Sequence, residues 1–156
     1  MRNPFSELEA RFGEAVQVRN FGRSNRYVIE ATLTRWVEVA AWLRMEESQR
    51  IDFLEALTVT ELKGRFILSA FIRSHVQGGE VVLRTSLPVP GATERAEIPS
   101  LVGVWPHAEA FETELAPLFG IQFTGSRGVG GVRKFFGTYD GFPLRKNFDW
   151  LEESGL

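Results

Sequence analysis

The chain has 156 residues, 44% of them hydrophobic and 24% charged, with a formal charge of −2. That length suits one domain whose core needs no covalent staples, and the near-neutral charge gives no whole-molecule attraction to nucleic acid or anionic membrane. Cysteine is absent, which excludes disulfides, thiolate metal sites, cysteine-ligated clusters and cysteine nucleophiles.

The opening MRNPFSELEARFGEA lacks the apolar core of a signal peptide, and no apolar run approaches the roughly 20 residues that span a bilayer. A cytoplasmic location is therefore expected. Asn3-Pro4 should open a helix, with Phe5, Leu8 and Phe12 on one face and Gly13 as its stop. Ala15–Arg19 and Arg26–Ala31 are β-prone runs around the turn-rich NFGRSN, a predicted hairpin. Thr34 is expected to cap the next helix, TRWVEVAAWLRMEE, whose apolar stripe is Trp36, Val39, Ala40 and Leu43. Trp42 falls off that stripe and should be half exposed.

Three strands follow. Leu57–Leu62 leads through Lys63-Gly64 into Arg65–Arg73, and Gly78-Gly79 turns the chain into Glu80–Leu87. FILSAFI is apolar on both faces, which places it centrally in a sheet. VVLRTSL alternates, with Val81, Leu83 and Leu87 on the covered side. LPVPGATERAEIPS reads as a proline-rich loop. A helix should then begin near Pro106 and end at Pro117, because proline disfavours α geometry in the residue before it. After Gly120 only IQF is apolar, and from Gly125 onward the chain reads as irregular. The predicted class is α+β, a mixed sheet covered on one face by helices. Residues 1–124 would form the core domain and residues 125–156 a basic, aromatic docking tail.

Candidate chemistry is sparse. His75 and His107 have no serine, acid or second histidine at a ligand-like spacing, so neither is assigned chemistry, and His75, at a strand end, reads as a surface or turn residue. Glu109, Glu112 and Glu114 crowd one helix, where carboxylates near the N-terminus suit the helix dipole without any catalytic role. GSRGVGGVRK matches neither a Walker loop nor a dinucleotide fingerprint. No catalytic, cofactor-binding or metal-binding residue is assigned. Charge remains: residues 125–146 hold five cationic residues against Asp140 alone, interleaved with Phe135, Phe136, Tyr139 and Phe142. Rings and cations in that pattern suit single-stranded nucleic acid or a protein groove. The acidic remainder of the chain argues against nucleic acid.

Two blocks, FETELAPLFGIQFTG and DGFPLRKNF, together resemble the thirty-kilodalton subunit of NADH–quinone oxidoreductase, respiratory complex I. Glu112, Glu114, Phe119, Gly120, Ile121, Phe123 and Gly125 match its first block; Gly141, Pro143, Leu144, Arg145, Lys146 and Phe148 match its last. IPSLVGVWPHAEAF parallels the family's upstream order. Thr113, Pro117, Phe142 and Asn147 depart from the family's Arg, Asp, His and Asp.

The resemblance implies a subunit without a redox centre or cofactor. It would sit at the cytoplasmic face of the membrane, held there by partner subunits, and brace the neighbouring quinone-site subunit. The equivalent subunit of a hydrogenase-type membrane complex would carry the same pattern. The expected partner-facing residues are Glu112, Glu114, Phe119, Phe142, Leu144, Arg145, Lys146 and Phe148. On that expectation the closing residues are left unsatisfied by their own fold, so Arg145→Ala and Lys146→Ala should barely change the isolated domain's stability.

Overall fold

The computed structural model describes residues 4–20, 26–48, 50–76, 78–125 and 141–150. Helix α1, Ser6–Phe12, buries Leu8, follows the buried Phe5 at its N-cap and ends at Gly13, whose N–H returns to the Glu9 carbonyl. It starts two residues after Pro4. Strands β1 (Val16–Asn20) and β2 (Arg26–Ala31) pair antiparallel from Val16↔Ala31 to Asn20↔Tyr27, the expected hairpin. The next helix, α2, spans Trp36–Met45, and its four stripe residues are at most 1% exposed while Trp42 is half-buried. Thr34 does not cap it. That residue lies inside a preceding short 3-10 turn, Leu33–Arg35, where its hydroxyl meets Thr32 Oγ1 at 3.3 Å.

Strands β3 (Phe53–Leu62), β4 (Arg65–Arg73) and β5 (Glu80–Pro88) form an antiparallel meander. β3 begins four residues before the expected Leu57 because its ladder with β4 continues past an irregularity between Leu54 and Ala56. Lys63 and Gly64 join β3 to β4 with φ of 50° and 71°. Two successive positive φ values match the twist of a two-residue hairpin, and glycine takes the second without strain.

The five-stranded sheet has the order β1-β2-β5-β4-β3, and its β2–β5 pair is parallel. The sheet is thus mixed, and the class is α+β as expected. β4 is bonded on both sides, one place from the centre; β5 holds the middle because it joins the hairpin to the meander. Register sends Ile29, Leu83, Ala70 and Leu57 to one face, together with Val81, Ile72, Leu68 and Phe66. These side chains and the buried faces of α1, α2 and α3 (Ala108–Phe119) make one core.

Two findings depart from the sequence reading. Inside the proline-rich loop, Ala96–Pro99 forms β6, which pairs in parallel with β7, Ile121–Thr124. Helix α3 also continues through Pro117. Proline's φ is helical, and Pro117 and Phe119 are both buried, so packing outweighs the one backbone bond that proline forfeits. The helix stops instead at Gly120, φ 66°, whose N–H bonds the Ala116 carbonyl.

Candidate docking surface

The site is built where α3 ends. A helix leaves its last carbonyls without intrahelical partners, and those groups must be satisfied if the end is buried. The chain supplies the partners from residues 141–150. Leu144 N–H donates to the Leu118 carbonyl at 3.0 Å, and Arg145 Nε donates to the Phe119 carbonyl at 2.7 Å. Nη2 of Arg145 reaches the carbonyls of Gly120 at 3.2 Å and Glu94 at 2.7 Å, and Nη1 that of Gly91 at 2.8 Å. One guanidinium therefore ties the C-terminus of α3 to the loop before β6. Its positive charge sits at the negative end of the helix dipole, where a cation is favoured.

Arg145 is 3% exposed. Its guanidinium carbon lies 4.2 Å from the centre of the Phe142 ring and 5.4 Å from that of Phe66, so aromatic faces replace part of the lost hydration. Burial pulls the guanidinium below its ordinary pKa, and Glu61 opposes that shift. The Glu61 carboxylate also accepts the Lys146 N–H at 2.9 Å. Gly120 is required for this packing. A Cβ there would lie 2.5 Å from Phe142 ring carbons and 2.6 Å from Arg145 Nη2.

What the segment turns outward differs from what it turns inward. Leu144 is 50% and Trp150 59% exposed, and the Lys146 and Asn147 side chains also face solvent. Phe142 and Phe148 are half-buried, and Phe148 meets Trp150 edge-on at 4.8 Å. The backbone pinned at Leu144 and Arg145 turns Pro143 and Arg145 inward and leaves Leu144, Lys146 and Asn147 outward.

The other expected interface residues divide in the same way. Glu112 is wholly buried, where its carboxylate accepts the Ser100 hydroxyl and the Leu101 N–H, each at 2.7 Å. Burial raises its pKa, those two hydrogen bonds work against the rise, and Glu109 adds to it. Phe119 is 7% exposed and packs edge-on against Phe66. Glu112, Phe119 and Arg145 are thus corrected from partner-facing to internal: each already has its contacts at home. Glu114 is exposed on α3. Arg127, Arg133, Lys134, Phe135, Phe136, Tyr139 and Asp140 lie outside the described residues, so of the five cations only Arg145, which is internal, and Lys146 are placed.

The expected interface residues did not include Trp150, which lies two positions beyond the block that ends at Phe148. Nor did it find that both histidines converge on Phe53. His75 meets that ring edge-on at 4.9 Å and His107 stacks on it at 5.1 Å. The Asp52 carboxyl accepts the His75 backbone N–H, which holds it below the ordinary carboxylate range. Among the described residues no group of three His, Asp or Glu is placed to hold a metal, and no helix is long and apolar enough to cross a membrane.

Residues 29–154 match the family model described as the respiratory-chain NADH dehydrogenase, 30 Kd subunit. The corresponding NADH-quinone oxidoreductase subunit of Ruegeria pomeroyi is 32% identical over 82% of this chain and 61% of its own length. That of Mesorhizobium japonicum is 30% identical over 95% of this chain and 74% of its own length. The chain thus spans less than two-thirds of the Ruegeria relative. A chain from the structure of an archaeal respiratory membrane complex, the membrane-bound sulfane sulfur reductase, shares the fold. It superposes with a TM-score of 0.74 at 17% identity, covering 94% of this chain and 84% of that one.

Proposed function

Because the chain belongs to the family of the 30 Kd subunit of respiratory-chain NADH dehydrogenase, we propose that it is a non-catalytic accessory subunit of an NADH–quinone oxidoreductase. It acts in the peripheral arm, at the cytoplasmic face of the membrane, where partner subunits hold it. Its role is to brace the quinone-site subunit while electrons pass from NADH to quinone.

The observation that carries this reading is the anchored C-terminal segment. Arg145 fastens it to the end of α3, and the fastening leaves Leu144, Lys146 and Trp150 directed at solvent. An aliphatic side chain, an ammonium and an indole held on a pinned backbone lose little further entropy on docking, which favours association. Trp and apolar anchors of this kind concentrate binding energy at protein interfaces. The reading is tested by co-expressing the chain with the quinone-site subunit of its own complex and measuring co-purification. Leu144→Asp combined with Trp150→Ala should abolish co-purification while leaving the fold intact. Full retention of the partner by that variant would refute the reading.

A further inference from the structure

The five-stranded sheet has a second face, opposite the one on which α1, α2 and α3 pack. Register sends Val28, Val82, Phe71 and Ala56 across it in one row, and alternation along β4 adds Ile67. None of these five apolar residues belongs to the core that the helices close. A strand that is apolar on both faces is ordinarily covered on both. Among the described residues β4 is such a strand with helices on one side only.

Charge on this face is matched, with a remainder. Arg19, Arg26 and Arg73 pair with Glu30, Glu80 and Glu55 at 3.0 to 3.2 Å, one carboxylate to each guanidinium. Those pairs use every carboxylate that the register puts there, and two arginines are left over. Arg84 donates from Nε to Ser69 Oγ at 3.2 Å. Arg65 donates from Nε and Nη2 to Ser86 Oγ at 3.3 and 3.0 Å. Glu30 stands beside Arg84 in register, but its carboxylate is the one that Arg19 holds. The face therefore keeps two surplus positive charges, although the whole chain carries −2.

Spacing says what these two cations suit. Ser69 and Ser86 occupy diagonal positions of the β4–β5 ladder, about 7–8 Å apart. Their hydroxyls hold the two guanidinium heads on the same side of the sheet at about that separation. The bond to Ser69 uses Nε and leaves both Nη groups of the half-buried Arg84 clear of it. In an extended chain, residues i and i+2 point to one side and lie about 6.6 Å apart. Adjacent residues point to opposite sides and cannot reach both heads. Residues 126–140 carry three cations against Asp140, the sign of the face itself, which favours another chain as its occupant.

We propose that the open sheet face receives an extended acidic segment of a partner chain. Carboxylates at alternate positions meet Arg65 and Arg84, and the next apolar side chain on that side rests on Phe71 and Val82. The inference goes beyond the bracing role and does not depend on which subunit supplies the segment.

The test uses the full chain, isotopically labelled for NMR, and three synthetic Thr/Val peptides. One carries glutamates at i and i+2, one carries them at i and i+1, and one has glutamines at i and i+2. The alternate-glutamate peptide should shift resonances of residues 65–71 and 82–86 and weaken as salt rises, because exposed ion pairs are screened. Loss of two modest ion pairs should make the glutamine peptide bind about tenfold more weakly. The double variant Arg65→Gln/Arg84→Gln should lose about the same factor for the alternate-glutamate peptide. Adjacent glutamates should bind more weakly than alternate ones, and Arg26→Gln, whose guanidinium already has Glu80, should change affinity less than twofold. Equal binding of the alternate-glutamate and glutamine peptides, unchanged affinity in the double variant, or shifts mapping to residues 144–150 would each overturn the inference. So would concentration-dependent self-association through this face, or tighter peptide binding after deletion of residues 151–156, since a second copy or the chain's own end would then be the occupant. Arg65 is exposed, so Arg65→Gln alone, with an expected loss of about threefold, keeps the test open if the double variant unfolds.

Discussion

Replacing Arg145 by alanine removes the guanidinium that closes the end of α3. Three of its hydrogen bonds are 2.8 Å or shorter, to the carbonyls of Phe119, Gly91 and Glu94. Gly91 and Gly120 keep a second donor, since their carbonyls also accept the N–H groups of Glu94 and Ala96. The Phe119 carbonyl loses its side-chain donor at a buried helix end. Hydrogen bonds to a charged group are worth about 1.5–3 kcal/mol each, and recovered hydration of the unfolded cation offsets part of their sum. Lost ring–cation contacts add about 1 kcal/mol. We therefore expect a net loss of about 3–4 kcal/mol, which for a domain of this size lowers Tm by about 6–16 °C. Arg145→Lys keeps the charge without the planar fork and should fall between alanine and the natural residue. Thermal unfolding followed by circular dichroism decides it. A Tm within about 2 °C of the parent for Arg145→Ala would show that the four carbonyl contacts contribute no net stability, and the anchoring argument would fail.

Gly120→Ala should cost at least about 2 kcal/mol, combining a left-handed φ with a methyl driven into the Phe142 ring; unchanged urea unfolding would contradict it. Glu112 has a raised pKa in the fold, so its contribution to stability is fully present below the ordinary carboxyl value near 4.5 and is lost as pH rises through the raised value. Glu112→Gln cannot titrate there. Its unfolding free energy should therefore decline less than the parent's across that window, and parallel pH profiles would refute the burial argument. Lys146→Ala should leave Tm within about 1 °C, because its exposed side chain has no ion pair among the described residues.

The fold was legible where local pattern and tertiary environment agree. The α2 stripe at Trp36, Val39, Ala40 and Leu43 is buried as its spacing requires, and Lys63-Gly64 marks a turn by residue chemistry alone. Strand β6 was not legible because its four residues gain their identity only from pairing with β7, through contacts such as Ala96↔Ile121. Pro117 misled because a local rule met a buried, well-packed helix end. The candidate site shows the same limit more sharply. Family resemblance located Phe119-Gly120 and Leu144-Arg145 as paired blocks, and the structure explains the pairing: one block caps the other. That Arg145 would be committed to this cap could not be read, since its acceptors are backbone carbonyls, two of them at Gly91 and Glu94, 54 and 51 positions away. Side-chain identity carries no trace of such a bond.

The central claim is a division of labour in which Arg145 faces inward for stability while Leu144 and Trp150 face outward for a partner. Its most direct test measures Tm and co-purification with the quinone-site subunit side by side for Arg145→Ala and for Leu144→Asp/Trp150→Ala. The account predicts that the first variant loses stability and that the second loses only its partner. A second variant that melts early yet still retains the partner would contradict it.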